Sequence, residues 1–230
     1  MSLILSIESG TEICSVALSR DGEVIALRDN HVGRDHARLV ATFVDELLKE
    51  CGVEATELDA VAVSKGPGSY TGLRIGVSLA KGLCYGLNIP LIGVGSLEAL
   101  LQVAIERCEA GELQGATLIP MVDARRMEVY TQQFDSDGVG LSDVTAKVID
   151  ESSFEELRDG DSRVILFGDG ASKCAEVLPW AKIIDVKPSA VGVAKIAHSK
   201  LNKGECEDVA YFEPFYLKDV VITKSKRKFF

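Results

Sequence analysis

The sequence predicts an α/β fold with mixed sheets, arranged as two related lobes of which the second is degenerate. Three observations carry this expectation. Short apolar runs separated by Gly- and Asp-rich turns open the chain and recur, more loosely, near its middle. Segments with helical spacing of apolar residues follow each set of runs. Residues 58–63 form a run that is apolar apart from Asp59, as expected for a strand buried on both faces of a parallel sheet.

Taken in order, Leu3, Ile4, Leu5 and Ile7 form a first strand, and Ser9-Gly10-Thr11-Glu12 is a turn. Residues 14–18 resume the apolar pattern. Arg20-Asp21-Gly22-Glu23 is a hairpin, because Asp-Gly tolerates the positive φ of a tight turn, and residues 24–28 complete a meander. Leu39, Val40, Phe43, Val44, Leu47 and Leu48 recur at helical spacing, so a helix is expected over 35–51, stopped by Gly52. The buried strand 58–63 leads to a helix over 72–87, ended by Asn88-Ile89-Pro90. A strand over 91–94 follows, and Ser96 can cap a helix running to about residue 108.

The second half predicts strands at 116–121 and 128–134 around the turn Asp123-Ala124-Arg125-Arg126, with another hairpin at Asp137-Gly138. A short helix near 153–157, a strand at 163–167, a helix after Gly168-Asp169-Gly170 and a last helix over 191–203 follow. Residues 211–217 are expected to be extended, and the tail 224–228 is basic. A meander first and helices after is the build of a ribonuclease-H-like or actin-like ATPase lobe. The expected division is 1–108 and 109–230, with the last helix packing back on the first lobe.

The charge balance, 25 Lys and Arg against 35 Asp and Glu, opposes a simple model in which the surface grips nucleic acid by neutralising phosphate. No apolar run reaches the roughly 18 residues of a membrane span. The N-terminus lacks a basic region and cleavage site, so a cytoplasmic location is expected. The six cysteines contain no CxxC pair, which fits a reducing compartment and suggests neither a disulfide framework nor a zinc site.

The turn Glu8-Ser9-Gly10-Thr11 has the chemistry of a phosphate site: successive N–H groups form an anion nest and a carboxylate can hold hydrated magnesium. The second lobe argues against a complete nucleotide site. A second phosphate turn needs glycines near the nucleotide, and that place holds Asp123-Ala124-Arg125-Arg126-Met127. Gly168-Asp169-Gly170-Ala171 reads first as a connector. His31 and His36 lack the i, i+4 spacing of a helical metal pair and His198 stands apart, so each is expected at the surface or in a cap. No metal site, catalytic residue or required cofactor is expected, with weak ATP–Mg or ADP–Mg binding at the first turn left as a vestige.

The most informative stretch is Lys65-Gly66-Pro67-Gly68-Ser69-Tyr70-Thr71-Gly72-Leu73-Arg74-Ile75-Gly76. It lacks the spacing of a Walker loop. Its helix contains Gly72, Gly76, Gly82 and Gly86, each unfavourable by about 1 kcal/mol relative to alanine. Gly72, Gly76 and Ala80 form one lane of small residues; Ser78, Gly82 and Gly86 form another. Apolar or small nearly all round, the helix is expected to be buried on both sides, with one lane against its own sheet and the other against a partner. The expected partner surface comprises Leu39, Phe43, Leu47, Gly72, Gly76, Leu79, Gly82, Leu83 and Gly86.

Residues 66–76 match the GPGS[FY]TGLRIG signature of the TsaB (YeaZ) family, relatives of the TsaD transferases in the actin-like ATPase (ASKHA) superfamily. Support comes from Ser6-Ile7-Glu8-Ser9-Gly10-Thr11, from Asp123-Ala124-Arg125-Arg126 with Glu128-Val129-Tyr130, and from Pro214-Phe215-Tyr216-Leu217. The resemblance implies a non-catalytic subunit that binds TsaD, and with TsaE helps to form threonylcarbamoyladenosine in tRNA. It also implies homodimers, and contact with tRNA only through the complex. Glu8 departs from the aspartate usual in the family. The alternative reading is a metal-dependent glycoprotease-like peptidase or a small ATPase.

Overall fold

The computed structural model describes residues 1–31, 35–109, 111–158, 160 and 162–218; the basic run 224–228 lies outside them. β1 (Leu3–Glu8) is the central strand of the first sheet. β2 (Cys14–Arg20) and β3 (Glu23–Asn30) extend it on one side as an antiparallel meander. β4 (Ala60–Gly66) and β5 (Leu91–Gly95) extend it in parallel on the other, for an order β3-β2-β1-β4-β5. α1 (His36–Cys51) ends on Gly52 in the left-handed conformation. α2 (Tyr70–Leu87) begins at Ser69, whose Oγ accepts the Gly72 N–H at 3.3 Å, and stops at left-handed Asn88. Both helices cover one face of the sheet, where Leu5, Ile7, Val61 and Val63 pack against Val40, Val44, Leu47 and Val77.

The second sheet repeats this topology strand for strand. β6 (Ala116–Asp123) takes the central place, with β7 (Glu128–Thr131) and β8 (Thr145–Val148) as its meander. β9 (Arg163–Phe167) and β10 (Lys182–Ile184) are its parallel pair, giving the order β10-β9-β6-β7-β8. Its helices have shrunk: α4 (Glu155–Arg158) is a single turn. Instead of the helix expected after Gly170, there is only a 3-10 turn at Ser172–Cys174. Pro179 closes the segment and disfavours helix at the residue before it. Ala171, Cys174 and Leu178 still bury against Ile119, Met121 and Leu166. β8 and β10 were not anticipated, being three or four residues long without an apolar run.

α3 (Ser96–Arg107) and α5 (Ala190–Lys203) lie between the sheets. Leu97, Leu100 and Leu101 of α3 pack on Leu118, Ile165 and Phe167 of the second sheet. Val193 and Ala197 of α5 pack on Ile4, Ala62 and Ile92 of the first. The two helices meet where Gly192 lies against the Ala99 carbonyl, so closely that a Cβ would overlap it. The cap of α3 is Gly95 rather than the expected Ser96, whose buried Oγ is 2.7 Å from Ser64 Oγ.

After α5 the chain crosses the first lobe as an irregular strap. Glu207 bridges to Leu91, Phe212 covers Gly93, and the Phe215 N–H donates to the Lys65 carbonyl at 2.6 Å. Lys81 Nζ donates to the carbonyls of Phe212 (2.8 Å) and Ala210 (3.2 Å). Lys218 then pairs with Glu128 on β7. The expected extension over 211–217 is thus set by these contacts without a sheet ladder. No described helix is long and apolar enough to cross a membrane.

Candidate functional site

The turn after β1 is seated on the N-terminus of α2. The Ser69 N–H donates to the Gly10 carbonyl at 2.6 Å, and Ser9 Oγ donates to the Gly72 carbonyl at 2.9 Å. The two backbones approach so closely that a Cβ at Gly68, Gly72 or Gly76 would overlap Gly10 O, Ser9 O or Ser9 Oγ. On the other side of the loop, Gly66 has φ 112° and a Cβ there would come within 2.6 Å of the Phe215 carbonyl. Pro67 is buried between these contacts and Thr71 is exposed. Gly72 and Gly76 were expected at a partner surface; this lane is instead filled by the chain's own turn. Leu47, also expected there, is fully buried in the core beneath α1. Burial by the chain itself and by a partner leave the same helical pattern, so spacing alone does not say which face is which.

The carboxyl of Glu8 sits under this turn, 1% exposed. The Gly10 N–H donates to its Oε1 at 2.6 Å, so the nest that would hold a phosphate holds a side-chain carboxyl of the same chain. Burial raises the Glu8 pKa to about 7, against the opposing hydrogen bonds from Gly10 and Ser64; Asp169 adds to the rise from the second lobe. Thr11 is also buried and accepts the Ile13 N–H on Oγ1 at 3.2 Å. Burial likewise raises Asp169 to about 6, although its Oδ1 accepts the Asp123 N–H at 3.2 Å. Asp123 in turn pairs with Lys173. A phosphate at the first turn would have to displace Glu8.

Among the described residues, no three His, Cys, Asp or Glu side chains group so as to hold a metal ion. His31 is exposed and His198 Nδ1 lies 3.1 Å from Ser2 Oγ. His36, expected at the surface or in a cap, is buried, with Nε2 3.2 Å from the Ile13 carbonyl. That hydrogen bond ties α1 to the start of β2.

The outer face of α2 is not covered by the described chain, while its inner lane is filled. Among the described residues, nothing lies within 4 Å of where a Cβ would stand at Gly82 or Gly86, and Tyr85 is 86% exposed. Leu39, Phe43, Leu79 and Leu83 are half-buried, packed inward on the core. Between α1 and α2 runs a groove of about 540 Å³, lined by Val40, Ala41, Thr71, Arg74, Ile75, Ser78 and Leu79. At its end the Tyr70 ring packs against Tyr216 of the strap, ring centres 4.9 Å apart and planes tilted by 41°, while Arg74 Nη1 donates to the Tyr70 hydroxyl at 2.7 Å. The geometry is an apolar groove with one cationic corner.

The chain is 32% identical to the tRNA threonylcarbamoyladenosine biosynthesis protein TsaB of Escherichia coli (strain K12), over 96% of each chain. The chain belongs to the TsaB family. A model described as TsaD, tRNA N6-adenosine threonylcarbamoyltransferase, matches residues 30–211. A Pseudomonas aeruginosa structure titled as a protein with similarity to peptidase YEAZ superposes with TM-score 0.81 at 27% identity, covering 95% of this chain and all of the other. The activator of 2-hydroxyisocaproyl-CoA dehydratase from Clostridium difficile shares the fold alone, at TM-score 0.54 and 9% identity. These likenesses bear out the TsaB resemblance and the two-lobed actin-like ATPase fold. Sequence reasoning missed the facing of Glu8 and Asp169, and the strap contacts Phe215–Gly66 and Tyr216–Tyr70. The aromatic 211–216 run was the only local signal for the strap, and none existed for the carboxyl pair.

Proposed function

We propose that this TsaB-family chain is a non-catalytic subunit of a cytoplasmic tRNA threonylcarbamoyltransferase complex. It docks a TsaD-type transferase through the face of α1 and α2. The observation that carries this reading is the open lane Ser78-Gly82-Gly86 beside the apolar groove, on a helix whose other small lane is already filled by its own turn. Small side chains there let a partner helix come close while Leu79 and Leu83 offer apolar area. The same face serves a homodimer when no transferase is present; TsaE joins the complex, and tRNA is modified by the transferase. The chain needs no nucleotide of its own for this role, a reading supported by the Glu8 carboxyl seated in its own phosphate nest.

Gly82→Leu tests the docking. A leucine at this position meets open space in the isolated chain, so its fold should be unchanged by thermal melting. Association with a TsaD-type transferase, measured by sedimentation, should weaken at least about tenfold, equivalent to about 1.4 kcal/mol. Undiminished association would refute docking through this lane.

A further inference from the structure

We propose that the cleft between α2 and the strap is a charge-selective subsite, which takes an acidic side chain, Asp or Glu, of the transferase docked on α1 and α2. The inference rests on the docking reading above, and it adds the chemistry that the partner must present.

The cleft has a volume of about 330 Å³, between Tyr70, Arg74 and Lys81 of α2 and Phe212, Glu213 and Tyr216 of the strap. It opens beside the apolar groove and shares Tyr70, Arg74 and Ser78 with it. A partner laid along the groove therefore reaches the cleft as well.

Two cations line the cleft, and among the described residues neither forms an ion pair. Arg74 is exposed and held by Tyr70: Nη1 donates to the hydroxyl at 2.7 Å, and the guanidinium carbon stands 5.3 Å from the ring centre. Lys81 Nζ donates only to neutral groups, the carbonyls of Phe212 and Ala210, so its charge is left unbalanced. Glu213, the one acid among the lining residues, is exposed and pairs with neither. On a chain with ten more acids than bases, this is a local positive site.

The site is set before a partner arrives. Tyr70 orients the guanidinium and packs against Tyr216, while the Phe215 N–H and Lys81 fix the strap that carries Tyr216. A planar guanidinium held in one orientation matches a carboxylate through two parallel N–H donors and loses little freedom in doing so. Tyr70 (40% exposed), Tyr216 (39%) and Phe215 (42%) border these cations. Tyrosine and arginine carry much of the binding energy at protein interfaces, and covered rings exclude water from a charge pair. The groove supplies apolar area without regard to charge, so the cleft is what makes the face prefer a partner with an acid at this point.

The test is sedimentation of the full chain with a TsaD-type transferase at low and high salt. In about 50 mM NaCl, Arg74→Gln should weaken the heterodimer about tenfold; in about 500 mM the difference should shrink to about threefold, because salt screens the pair. Lys81→Gln, which keeps an N–H donor for the strap carbonyls, should act in the same salt-dependent way, and Arg74→Lys should recover part of the loss. The melting temperature of Arg74→Gln should match wild type, since the side chain is exposed. Arg74→Gln that binds like wild type at low salt overturns the proposal, as does a loss of equal size at both salt concentrations. A variant that dissociates a dimer of this chain alone, while the heterodimer persists, would give the cleft to a second copy and also overturn it. Failure of the docking reading shows separately, as undiminished association of Gly82→Leu. Weakened Gly82→Leu beside intact Arg74→Gln strikes the cleft alone.

Discussion

Glu8 illustrates how a single residue can retain the shape of a binding site while changing what the site holds. Its carboxyl is buried, and the Gly10 N–H that could meet a phosphate meets Glu8 Oε1 instead. The folded-state pKa, raised to about 7, lies above the value of the unfolded chain. The folded state therefore binds the proton more tightly. This stabilisation is complete below about pH 4.5 and is lost as the pH rises through 7, on the order of 3 kcal/mol in all. Asp169, raised to about 6, acts in the same direction over a lower window. Glu8→Gln removes the larger titration while keeping an oxygen for Gly10. Its melting temperature should fall less between pH 5 and 8 than that of wild type in calorimetry, and parallel profiles would exclude this account.

At the scale of elements, α2 divides its glycines between two tasks. The inner lane exists because the backbone of the Ser9-Gly10 turn touches the helix, and the outer lane faces open space. Gly76→Ala should destabilise the isolated chain by about 1–3 kcal/mol through overlap with Ser9 Oγ. Gly82→Ala should stabilise it by up to about 1 kcal/mol, since alanine meets nothing there and restricts the unfolded chain. Urea denaturation of the two variants reads the difference, and equal shifts would mean the lanes are not distinct. The spacing of small residues every four positions revealed both lanes in the sequence, but it does not say which one the chain keeps for itself.

At the scale of the molecule, two sheets of one topology are joined by exchanging helices. α3 follows the first sheet in sequence yet packs its leucines on the second, and α5 follows the second sheet yet covers the first. Their crossing has no room for a side chain at Gly192. Gly192→Ala should therefore loosen both lobes together, lowering stability by about 1–3 kcal/mol in a single unfolding transition. A variant that melts in two separate steps would show that the helices do not couple the lobes. The strap adds a second tie, running from Leu91 past Lys65 to Glu128.

The sequence by itself determined where the strands and long helices of the first lobe lie, its meander, the signature loop and the TsaB resemblance. Each of these is written locally, in periodicity, turn residues or a contiguous motif. Tertiary structure alone decided that Gly72, Gly76 and Leu47 face inward while Gly82 faces out. It also decided that Glu8 fills its own nest opposite Asp169, that His36 is buried, and that the segment after Gly170 makes no helix. An apolar or small face records only that something covers it, whether the same chain or another. Residues far apart in sequence, such as Gly66 and Phe215, meet because the strap brings them together, and the charge of Asp169 reaches Glu8 across the two lobes. No local pattern encodes that pairing.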